Sequence, residues 1–563
     1  MTAGEAQATF AATLVDEWAR AGVRHAVVSP GSRSTPLAVA LDADDRIAVH
    51  VFLDERSASF CAVGIGRATG VPAVVATTSG TAAAECHAAV LEASHGRVPL
   101  LVCTADRPPE LQQVGAPQTV DQVGLYGTAV RWTAEPGVPD PVTAATWRSL
   151  GARAVAEATG ARPGPVHLNL AFRDPLVGEP GSLPPGRDDG APWHRAWPAT
   201  SPRRAALEAV TEQLRAPRGV VVAGAGCDPA AVGRLAASTG WPVLADPLSG
   251  CRVAGTIGAF DALLRVSAFA EAHRPEVVLR VGALPASRVL GEWLATSGAR
   301  TVLVDPAAAF LDPERVAAEV LPDPLVTGAY LAKELEGVGD PAWGAAWASA
   351  EEAAQAAIDR VLVGREEVTE PAVARFLLAS MPDGATLVVS SSMPVRDLEW
   401  YGRPRTGVRV LANRGANGID GVLSTAVGVA LATGGPTALL VGDLALLHDS
   451  GGLLGLAERG VDLAIVVVDN RGGGIFEFLP QAGALPRERF ERLLATPHGV
   501  DLPSLVAVHG LAALRVHDAD GLGPALTAAV LTPGPLVVVA PTDRSTNVAV
   551  HDELHAAVGS AIA

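Results

Sequence analysis

The stretch VGDLALLHDSGGLLGLAERGVDLAIVVVDNRGGGIFEF, residues 441–478, decides the fold that we expect. An apolar run at 437–441 is typical of a buried strand and ends at Gly442-Asp443. A second apolar run at 463–468 ends at Asp469-Asn470, and the sequence between the two runs is helical in character. Because the carboxyl ends of parallel strands open on the same edge of a sheet, Asp443 and Asn470 are expected to face one small site.

The two strand ends carry oxygen ligands. The Asp443 carboxylate, the Asn470 amide and the exposed backbone of residues 471–474 suit Mg²⁺, which takes its remaining oxygens from phosphate or water when few protein groups hold it. Gly-Asp and Asp-Asn-x-Gly are also ordinary turn sequences after strands, so each piece alone leaves that alternative open. The spacing, the intervening helix and three consecutive glycines together predict a diphosphate anchor.

Length and composition favour a large globular chain. With 563 residues it is too long for one core, so three domains of ordinary size are expected. A net charge of −17 argues against a nucleic-acid partner, although arginines gathered in a pocket can still bind anionic substrates. No apolar run reaches about 18 residues and the first segment lacks a basic region, so we expect a cytoplasmic protein without membrane association.

Three segments alternate predicted helices and strands, which indicates three doubly wound parallel-sheet α/β domains. The expected domains are residues 1–180, 203–341 and 342–563, with a Pro/Gly-rich linker at 181–202. The Gly224-x-Gly226 pair lacks a complete dinucleotide fingerprint, so an ordinary tight turn is favoured there over nucleotide binding. The predicted strands cover residues 25–28, 48–53, 73–77, 100–104, 165–170, 219–223, 276–281, 301–304, 386–390, 408–412, 437–441, 463–468 and 535–539.

The pattern around Asp443 resembles the thiamine diphosphate motif, Gly-Asp-Gly followed further on by Asn-Asn. Leu444 and Asp469 replace the last Gly and the first Asn of that motif. Neither replacement removes the metal ligands that the resemblance implies, which are Asp443, the Asn470 side chain and the Gly472 carbonyl. Three α/β domains in series resemble thiamine diphosphate decarboxylases and carboligases, in which the first domain holds the aminopyrimidine ring and the third holds the diphosphate.

Eight segments carry a narrower resemblance: SPGSRSTPLA (29–38), LDERSA (53–58), TSGTA (78–82), TADRPPEL (104–111), SSSMPVRD (390–397), ANRGANGIDG (412–421), GDLALLHD (442–449) and DNRGGGIFEFLPQ (469–481). They resemble 2-succinyl-5-enolpyruvyl-6-hydroxy-3-cyclohexene-1-carboxylate synthases, the thiamine enzymes of menaquinone biosynthesis. The resemblance implies a transferase that decarboxylates 2-oxoglutarate and adds the resulting succinic semialdehyde carbanion equivalent 1,4 to isochorismate. The alternatives are another 2-oxo acid carboligase, such as an acetolactate synthase relative, and a non-catalytic regulatory subunit with the same fold.

Thiamine chemistry needs a carboxylic acid against the aminopyrimidine ring. The resemblance puts this acid at the end of the second strand, which makes Glu55 the candidate. On the residues alone, Glu55 is equally a helix-start acid favoured by the helix dipole, and Asp54 is an equally exposed rival. The resemblance also implies an active site completed across a subunit interface, in a homodimer or in a dimer of dimers that forms a homotetramer.

Arginines follow four of the predicted strands, where ligands bind in open α/β folds. Since 2-oxoglutarate and isochorismate are both dicarboxylates, these arginines are candidate substrate-binding groups, whereas a surface ion pair is the alternative for any one of them. A fifth candidate, Arg288, lies in the middle domain after Ser287, where the family often has lysine. The five candidates are Arg33, Arg107, Arg288, Arg396 and Arg414.

The remaining roles come from the resemblance. Arg33, Ser32, Gln118 and Ser391 join Glu55 as candidate catalytic residues, and Gln118 also as a substrate contact. On the residues alone, Ile419 and Phe476 are equally core side chains. The metal is expected to be Mg²⁺, with Mn²⁺ as the alternative. Beside Glu55, the implied cofactor contacts are Ser391, Met393, Ile419, Gly442, Asp443, Leu444, Asn470, Gly472, Gly474, Ile475 and Phe476.

Overall fold

The computed structural model describes residues 2–195 and 201–563, and it contains three parallel sheets. Every strand pairing within the sheets is parallel, and helices connect most of the successive strands. The predicted fold class, three doubly wound α/β domains, is therefore confirmed. Residues 196–200 of the predicted linker lie outside the described residues, and the predicted domain boundaries stay a prediction.

The first sheet has the strand order β2-β1-β3-β4-β6-β5. Its strands are β1 (His25–Val28), β2 (Ala48–Val51), β3 (Ala73–Thr77), β4 (Leu100–Asp106), β5 (Trp132–Ala134) and β6 (Pro165–Ala171). The helices in this part of the chain are α1 (Ala3–Arg20), α2 (Thr35–Asp42), α3 (Glu55–Thr69), α4 (Thr81–Glu85), α5 (His87–Gly96) and α6 (Ala144–Ala158).

The second sheet has the strand order β11-β10-β9-β7-β8. Its strands are β7 (Gly219–Ala223), β8 (Val243–Ala245), β9 (Val277–Val281), β10 (Arg300–Val304) and β11 (Ala317–Leu321). Its helices are α7 (Arg204–Leu214), α8 (Pro229–Thr239), α9 (Phe260–Leu264), α10 (Ser267–Ala272), α11 (Arg288–Thr296) and α12 (Pro324–Glu334).

The third sheet has the strand order β13-β12-β14-β15-β17-β16. Its strands are β12 (Thr386–Val389), β13 (Arg409–Leu411), β14 (Thr437–Gly442), β15 (Leu463–Asp469), β16 (Ala512–Arg515) and β17 (Leu536–Pro541). The helices are α13 (Pro341–Val363), α14 (Glu370–Ser380), α15 (Met393–Tyr401), α16 (Val422–Thr433), α17 (Asp443–His448), α18 (Gln481–Ala484), α19 (Arg487–Phe490), α20 (Leu502–Val508), α21 (Ala519–Leu531) and α22 (Arg544–Ile562).

The chain divides into two compact units, which do not coincide with the three sheets. The first unit contains the first sheet together with Asn413–Gly434 and Leu447–Val461, two segments that connect strands of the third sheet. The second unit contains the second and third sheets. A helix of the third segment, α16, therefore belongs to the first unit.

The first unit is held by a core cluster on its sheet and by the contact between α3 and α16. The core cluster includes Phe10, Trp18 and Leu101, all nearly inaccessible to solvent. Helices α3 and α16 approach closely at two glycines: a Cβ on Gly64 would lie 2.1 Å from the Thr425 carbonyl oxygen, and one on Gly428 would lie 1.9 Å from that of Cys61. Neither position has room for a side chain.

One of the apolar clusters in the second unit runs from the second sheet to the third. Helix α13 contributes Trp343 and Trp347 to this cluster, and its apolar face also carries Ala354 and Ile358. Burial of aromatic and aliphatic surface of this kind is the main favourable term in folding. No helix in the described ranges is both long and apolar enough to cross a bilayer.

Candidate active site

Asp443 and Asn470 follow neighbouring strands, because β14 pairs with β15 up to Gly442 and Val468. The two side chains meet at one backbone group. The Gly472 N–H donates to Asp443 Oδ2 at 2.9 Å and to Asn470 Oδ1 at 3.1 Å. The structure thus brings the three predicted metal-ligand residues together at the carboxyl edge of the third sheet.

Asp443 is 2% exposed and its carboxylate is held by several donors. The Leu444 N–H donates to Oδ1 at 2.6 Å, and His498 Nε2 lies 3.2 Å from Oδ2. Because the Val500 N–H donates to His498 Nδ1 at 3.3 Å, the proton of the neutral ring is on Nε2 and points at Asp443. Burial raises the pKa of Asp443, and these donors act in the opposite direction.

Asp469 joins this group, since one ligand atom each from Asp443, Asp469 and His498 lies within 4.8 Å of the others. Asp469 is 7% exposed, and its Oδ1 has no hydrogen-bond partner among the described residues. In the described parts of the chain, neither carboxylate forms an ion pair with arginine or lysine. Two buried acids without a cationic partner are costly, and a divalent cation with oxygen ligands would neutralise them. The residues therefore fit a metal ion.

Glu370 is a neighbour of this site that the sequence analysis missed. It is 3% exposed at the start of α14, and its Oε1 accepts a hydrogen bond from Asn470 Nδ2 at 2.8 Å. Burial, followed by the charge of Asp397, raises the pKa of Glu370 to about 7. No local pattern identifies it, because Glu370 lies 100 positions before Asn470. His498 was missed for the same reason, being 55 positions from Asp443.

Phe476 and Ile475 lie half-buried in the short helical turn after the glycines, and Gly474 is buried. The Gly472 carbonyl accepts from the Gly474 N–H at 3.0 Å. Leu444 and Gly442 are also half-buried. These residues lie in or beside the two segments that carry Asp443 and Asn470, and their role as cofactor contacts stays a prediction.

Glu55 is the first residue of α3, and Asp54 is the N-cap of this helix. The Asp54 carboxylate accepts from the backbone N–H groups of Arg56 at 2.8 Å and Ser57 at 3.3 Å, so it is committed to capping. The Glu55 side chain is half-buried. Desolvation raises the pKa of Glu55, with smaller contributions in the same direction from the charges of Asp54 and Glu85. The two rival acids thus have different environments.

Arg33 and Arg107 are neighbours in the first unit. Arg33 is buried, and its Nη1 donates to the Phe172 carbonyl at 3.0 Å and lies 3.4 Å from the Asp174 carboxylate. Its Nε is buried and has no hydrogen-bond partner within residues 2–195 and 201–563. Desolvation lowers the pKa of Arg107, and the charge of Arg33 lowers it further, which reflects the closeness of the two cations. Two adjacent guanidinium groups suit a ligand with more than one negative charge.

Gln118 lies beside this pair through Ser79. Arg107 donates to Ser79 Oγ, and Ser79 Oγ donates to the Gln118 carbonyl at 2.8 Å. Ser32, next to Arg33, is exposed. The first unit therefore groups Ser32, Arg33, Arg107 and Gln118, all predicted substrate or catalytic residues.

The other predicted residues follow strands of the third sheet. Ser391 and Met393 are buried at the start of α15, and Arg396 Nη1 donates to the Ser392 carbonyl at 2.7 Å. Arg414 and Ile419, which follow β13, are half-buried in the part of the chain that belongs to the first unit.

Arg288 lies on the surface of the middle segment. Its side chain is 88% exposed on the first turn of α11 and pairs with Glu292 at 2.6 Å. Ser287 caps this helix: its Oγ accepts from the Leu290 N–H at 3.1 Å and donates to Asp261 at 2.5 Å. A substrate role for Arg288 stays a prediction.

Backbone strain marks several of the predicted segments. Ser392 (75°), Asn417 (62°) and Arg471 (56°) in these segments have positive φ, and so does the predicted site residue Gln118 (53°). Asparagine tolerates this conformation, whereas the other three residue types rarely adopt it. Such strain is concentrated at ligand-binding sites, where the surrounding structure holds it in place.

Family models match all three segments of the chain. Residues 8–125 match the N-terminal TPP binding domain of thiamine pyrophosphate enzymes, residues 187–389 match the middle domain, and residues 392–540 match the C-terminal TPP binding domain.

Several curated proteins are similar over nearly their whole length, and each is named 2-succinyl-5-enolpyruvyl-6-hydroxy-3-cyclohexene-1-carboxylate synthase. One from Thermobifida fusca is 48% identical over 561 residues, which cover 98% of this chain and 99% of the relative. One from Halobacterium salinarum is 44% identical, covering 96% and 97%. One from Myxococcus xanthus is 42% identical, covering 98% and 97%.

Proposed function

Because the chain belongs to the 2-succinyl-5-enolpyruvyl-6-hydroxy-3-cyclohexene-1-carboxylate synthases, a family of thiamine diphosphate enzymes, we propose that it makes this product from 2-oxoglutarate and isochorismate. The reaction removes carbon dioxide from 2-oxoglutarate and adds the remaining four-carbon fragment 1,4 to isochorismate. The product belongs to menaquinone biosynthesis. Neither an acetolactate synthase-like activity nor a non-catalytic role is favoured, since the relatives named as synthases match the full length of the chain.

The observation that carries this proposal is the Gly472 N–H shared by Asp443 and Asn470. It holds a carboxylate and an amide oxygen at one point of the sheet edge. Asp443, the Asn470 side chain and the Gly472 carbonyl would bind Mg²⁺, with Mn²⁺ as the alternative, and the metal would anchor the diphosphate. His498 would keep Asp443 in position, because its Nε2–H donates to that carboxylate. Hard oxygen ligands favour Mg²⁺ over softer metals.

Thiamine diphosphate, when bound, supplies the nucleophilic carbon and accepts the electron pair that decarboxylation releases. Glu55 would exchange a proton with the aminopyrimidine ring. The raised pKa of Glu55 supports this role, because partial burial makes the neutral acid easier to form than in an ordinary glutamate. Ser391, Met393, Ile419 and Phe476 would contact the cofactor.

Arg33 and Arg107 would bind substrate carboxylates. Their mutual closeness, the buried Arg33 Nε without a partner and the adjoining Gln118 and Ser32 support this assignment. Charge-assisted hydrogen bonds of this kind contribute about 1.5 to 3 kcal/mol each when they are shielded from water. Arg396 and Arg414 would add contacts to the second dicarboxylate, and Arg288 is the fifth proposed contact.

The remaining proposals concern assembly and location. The active unit would be a homodimer or a dimer of dimers in which Glu55 of one chain serves the cofactor held by another. The enzyme would act in the cytoplasm, without nucleic-acid or membrane partners. The domains would span residues 1–180, 203–341 and 342–563.

Mass spectrometry of the products tests the substrate assignment. Purified protein receives Mg²⁺, thiamine diphosphate and isochorismate, with 2-oxoglutarate in one sample and pyruvate in another. We expect an adduct only with 2-oxoglutarate, because the paired arginines match a dicarboxylate.

An adduct formed from pyruvate would reject the substrate assignment and leave the cofactor assignment standing. If neither oxo acid reacts although the cofactor binds, the chain is not this synthase. A sample without isochorismate is the control for simple decarboxylation.

A further inference from the structure

The orientation of the Asn470 amide decides whether this side chain can bind a cation. An asparagine amide presents an oxygen at one end and an NH₂ group at the other, and only the oxygen is a ligand for a divalent metal. The sequence motif identifies Asn470 as a candidate ligand but does not determine which end of its amide faces the metal. The hydrogen-bond partners of Asn470 must therefore determine the orientation of the amide.

The described contacts of Asn470 are satisfied in only one orientation. Nδ2 donates to Glu370 Oε1 at 2.8 Å, while Oδ1 accepts from the Gly472 N–H at 3.1 Å. A flipped amide would set the NH₂ group against the Gly472 N–H and the oxygen against the Glu370 carboxylate. At the Gly472 N–H, donor would face donor whatever the protonation state of Glu370, and at an ionised Glu370 acceptor would face acceptor. The oxygen is therefore turned toward the side of Asp443, which shares the same Gly472 N–H.

Glu370 is well suited to fix this orientation. Its side chain is 3% exposed, and it occupies the first position of α14, where the Thr369 side chain caps the helix. Its position is therefore determined by a helix and not by a loop. Gly474 leaves room for the contact, since a Cβ there would lie 2.6 Å from Asn470 Nδ2 and 3.5 Å from Glu370 Oε1.

We propose that Glu370 is a positioning residue that holds the Asn470 amide oxygen toward the metal, an inference that rests on the proposed function. Glu370 itself touches neither substrate nor cofactor in this assignment; it acts through Asn470. It also gives Gly474 a physical role, because any side chain at that position would displace the amide. Hydrogen-bond partners of metal ligands commonly change metal affinity by about 10- to 100-fold when they are removed.

The test is the affinity for Mg²⁺, measured by titration calorimetry at saturating thiamine diphosphate. Glu370→Leu removes the acceptor and should weaken Mg²⁺ binding by about 10-fold or more. Glu370→Gln retains an acceptor oxygen and should keep most of the affinity. The matched control is Glu351→Leu, which removes another buried carboxylate of the second unit, one that accepts from the Ala259 N–H at 2.9 Å. It should leave Mg²⁺ affinity unchanged.

A double-mutant cycle with Asn470→Asp separates orientation from general damage. Aspartate offers an oxygen whichever way it turns, so Glu370→Leu should no longer weaken Mg²⁺ binding in that background. A penalty equal to that in the wild-type background would overturn the proposal, as would a Glu370→Leu variant that binds Mg²⁺ as tightly as the wild type.

These outcomes are distinct from failure of the proposed function. If the unmodified protein binds neither thiamine diphosphate nor Mg²⁺, the function itself is wrong. If the unmodified protein binds both and Glu370→Leu has no effect, only the positioning role is rejected. Melting curves of all variants identify any that do not fold.

Discussion

Asp54 and Glu55 are adjacent carboxylates in different environments. Asp54 accepts two backbone N–H groups at the start of α3, whereas Glu55 faces partial desolvation and the negative charges of its neighbours. Hydrogen bonds favour the ionised form of an acid, and burial disfavours it. The residue with the raised pKa is the one suited to proton exchange.

Replacement of Glu55 tests whether Glu55, and not Asp54, is the acid that exchanges the proton. We expect Glu55→Gln to reduce turnover by at least about 100-fold, because an amide cannot exchange the proton that the aminopyrimidine ring requires. Binding of thiamine diphosphate and Mg²⁺, measured by calorimetry, should change little.

Asp54→Ser is the matched control, because serine also caps helices. Its turnover should stay close to that of the unmodified protein. A fully active Glu55→Gln variant, or an inactive but folded Asp54→Ser variant, would contradict the assignment of Glu55.

The two halves of the candidate metal site differ in how far the sequence predicts them. Asp443 and Asn470 end strands with continuous apolar runs, so their meeting at one sheet edge follows from parallel pairing. His498 and Glu370 reach the same place through long connections that have no pattern of their own. Contacts between distant segments are fixed by packing, which a single sequence does not reveal.

At the scale of elements, the contact between α3 and α16 depends on close backbone approach. Gly64 and Gly428 face the partner helix's carbonyl oxygens at distances that exclude a Cβ. Small residues allow helices to approach more closely than larger side chains permit. The pair of glycines therefore sets the distance between the two helices.

Gly428→Ala should destabilise the protein by about 1 to 3 kcal/mol, because the added methyl would force α16 away from the Cys61 carbonyl. The measurement is the free energy of unfolding or, if unfolding is irreversible, the melting temperature.

Gly233→Ala in α8 is the control, since no atom of the described residues lies within 4 Å of a Cβ there. It should stabilise the protein slightly, by up to about 1 kcal/mol, because alanine has the higher helix propensity. Equal effects of the two substitutions would show that close approach is not the cause.

The strands absent from the sequence prediction are all at sheet edges. They are β5, β8, β11 and β16. Edge strands have one neighbour instead of two, and these four are short; β16 and β11 also carry exposed residues. β5, β11 and β16 lack the continuous buried runs of central strands such as β3 and β15, whereas β8 is apolar and buried but only three residues long. The presence of the central strands was therefore predictable, and the width of each sheet was not.

At the scale of the whole molecule, bound cofactor should raise the melting temperature. A ligand present at about 100 times its Kd contributes about 2.7 kcal/mol to the stability of the native state. Mg²⁺ with thiamine diphosphate should therefore shift the melting curve upward, and chelation of the metal by EDTA should reverse the shift. The control is an Asp443→Ala variant, which loses a proposed metal ligand; a shift of equal size in that variant would place the binding site elsewhere.

Stability should fall as pH is lowered, partly through His167. This residue is buried in β6, with Nε2 2.8 Å from Thr104 Oγ1, and desolvation lowers its pKa from 6.5 to about 4. Between these values the unfolded chain binds a proton that the folded chain excludes. The free energy of unfolding should thus decrease from pH 6.5 toward pH 4, by up to about 3 kcal/mol from this group.

Comparison with His167→Gln isolates this contribution. The variant should show a shallower decrease across the same pH window in chemical denaturation experiments. If the free energy of unfolding falls equally with pH in the two proteins, His167 does not cause the loss of stability.

The membership of α16 in the first unit restricts how this chain can be dissected. A gene fragment that ends before residue 413 encodes the whole first sheet but not the helix that covers α3. Its product would present the face around Gly64 and Cys61 to water and would be prone to aggregate. Domain swaps between relatives that treat the first and third segments as independent modules would break the same contact. Recombination within this family should succeed only when residues 413–434 and 447–461 are inherited together with the amino-terminal sheet.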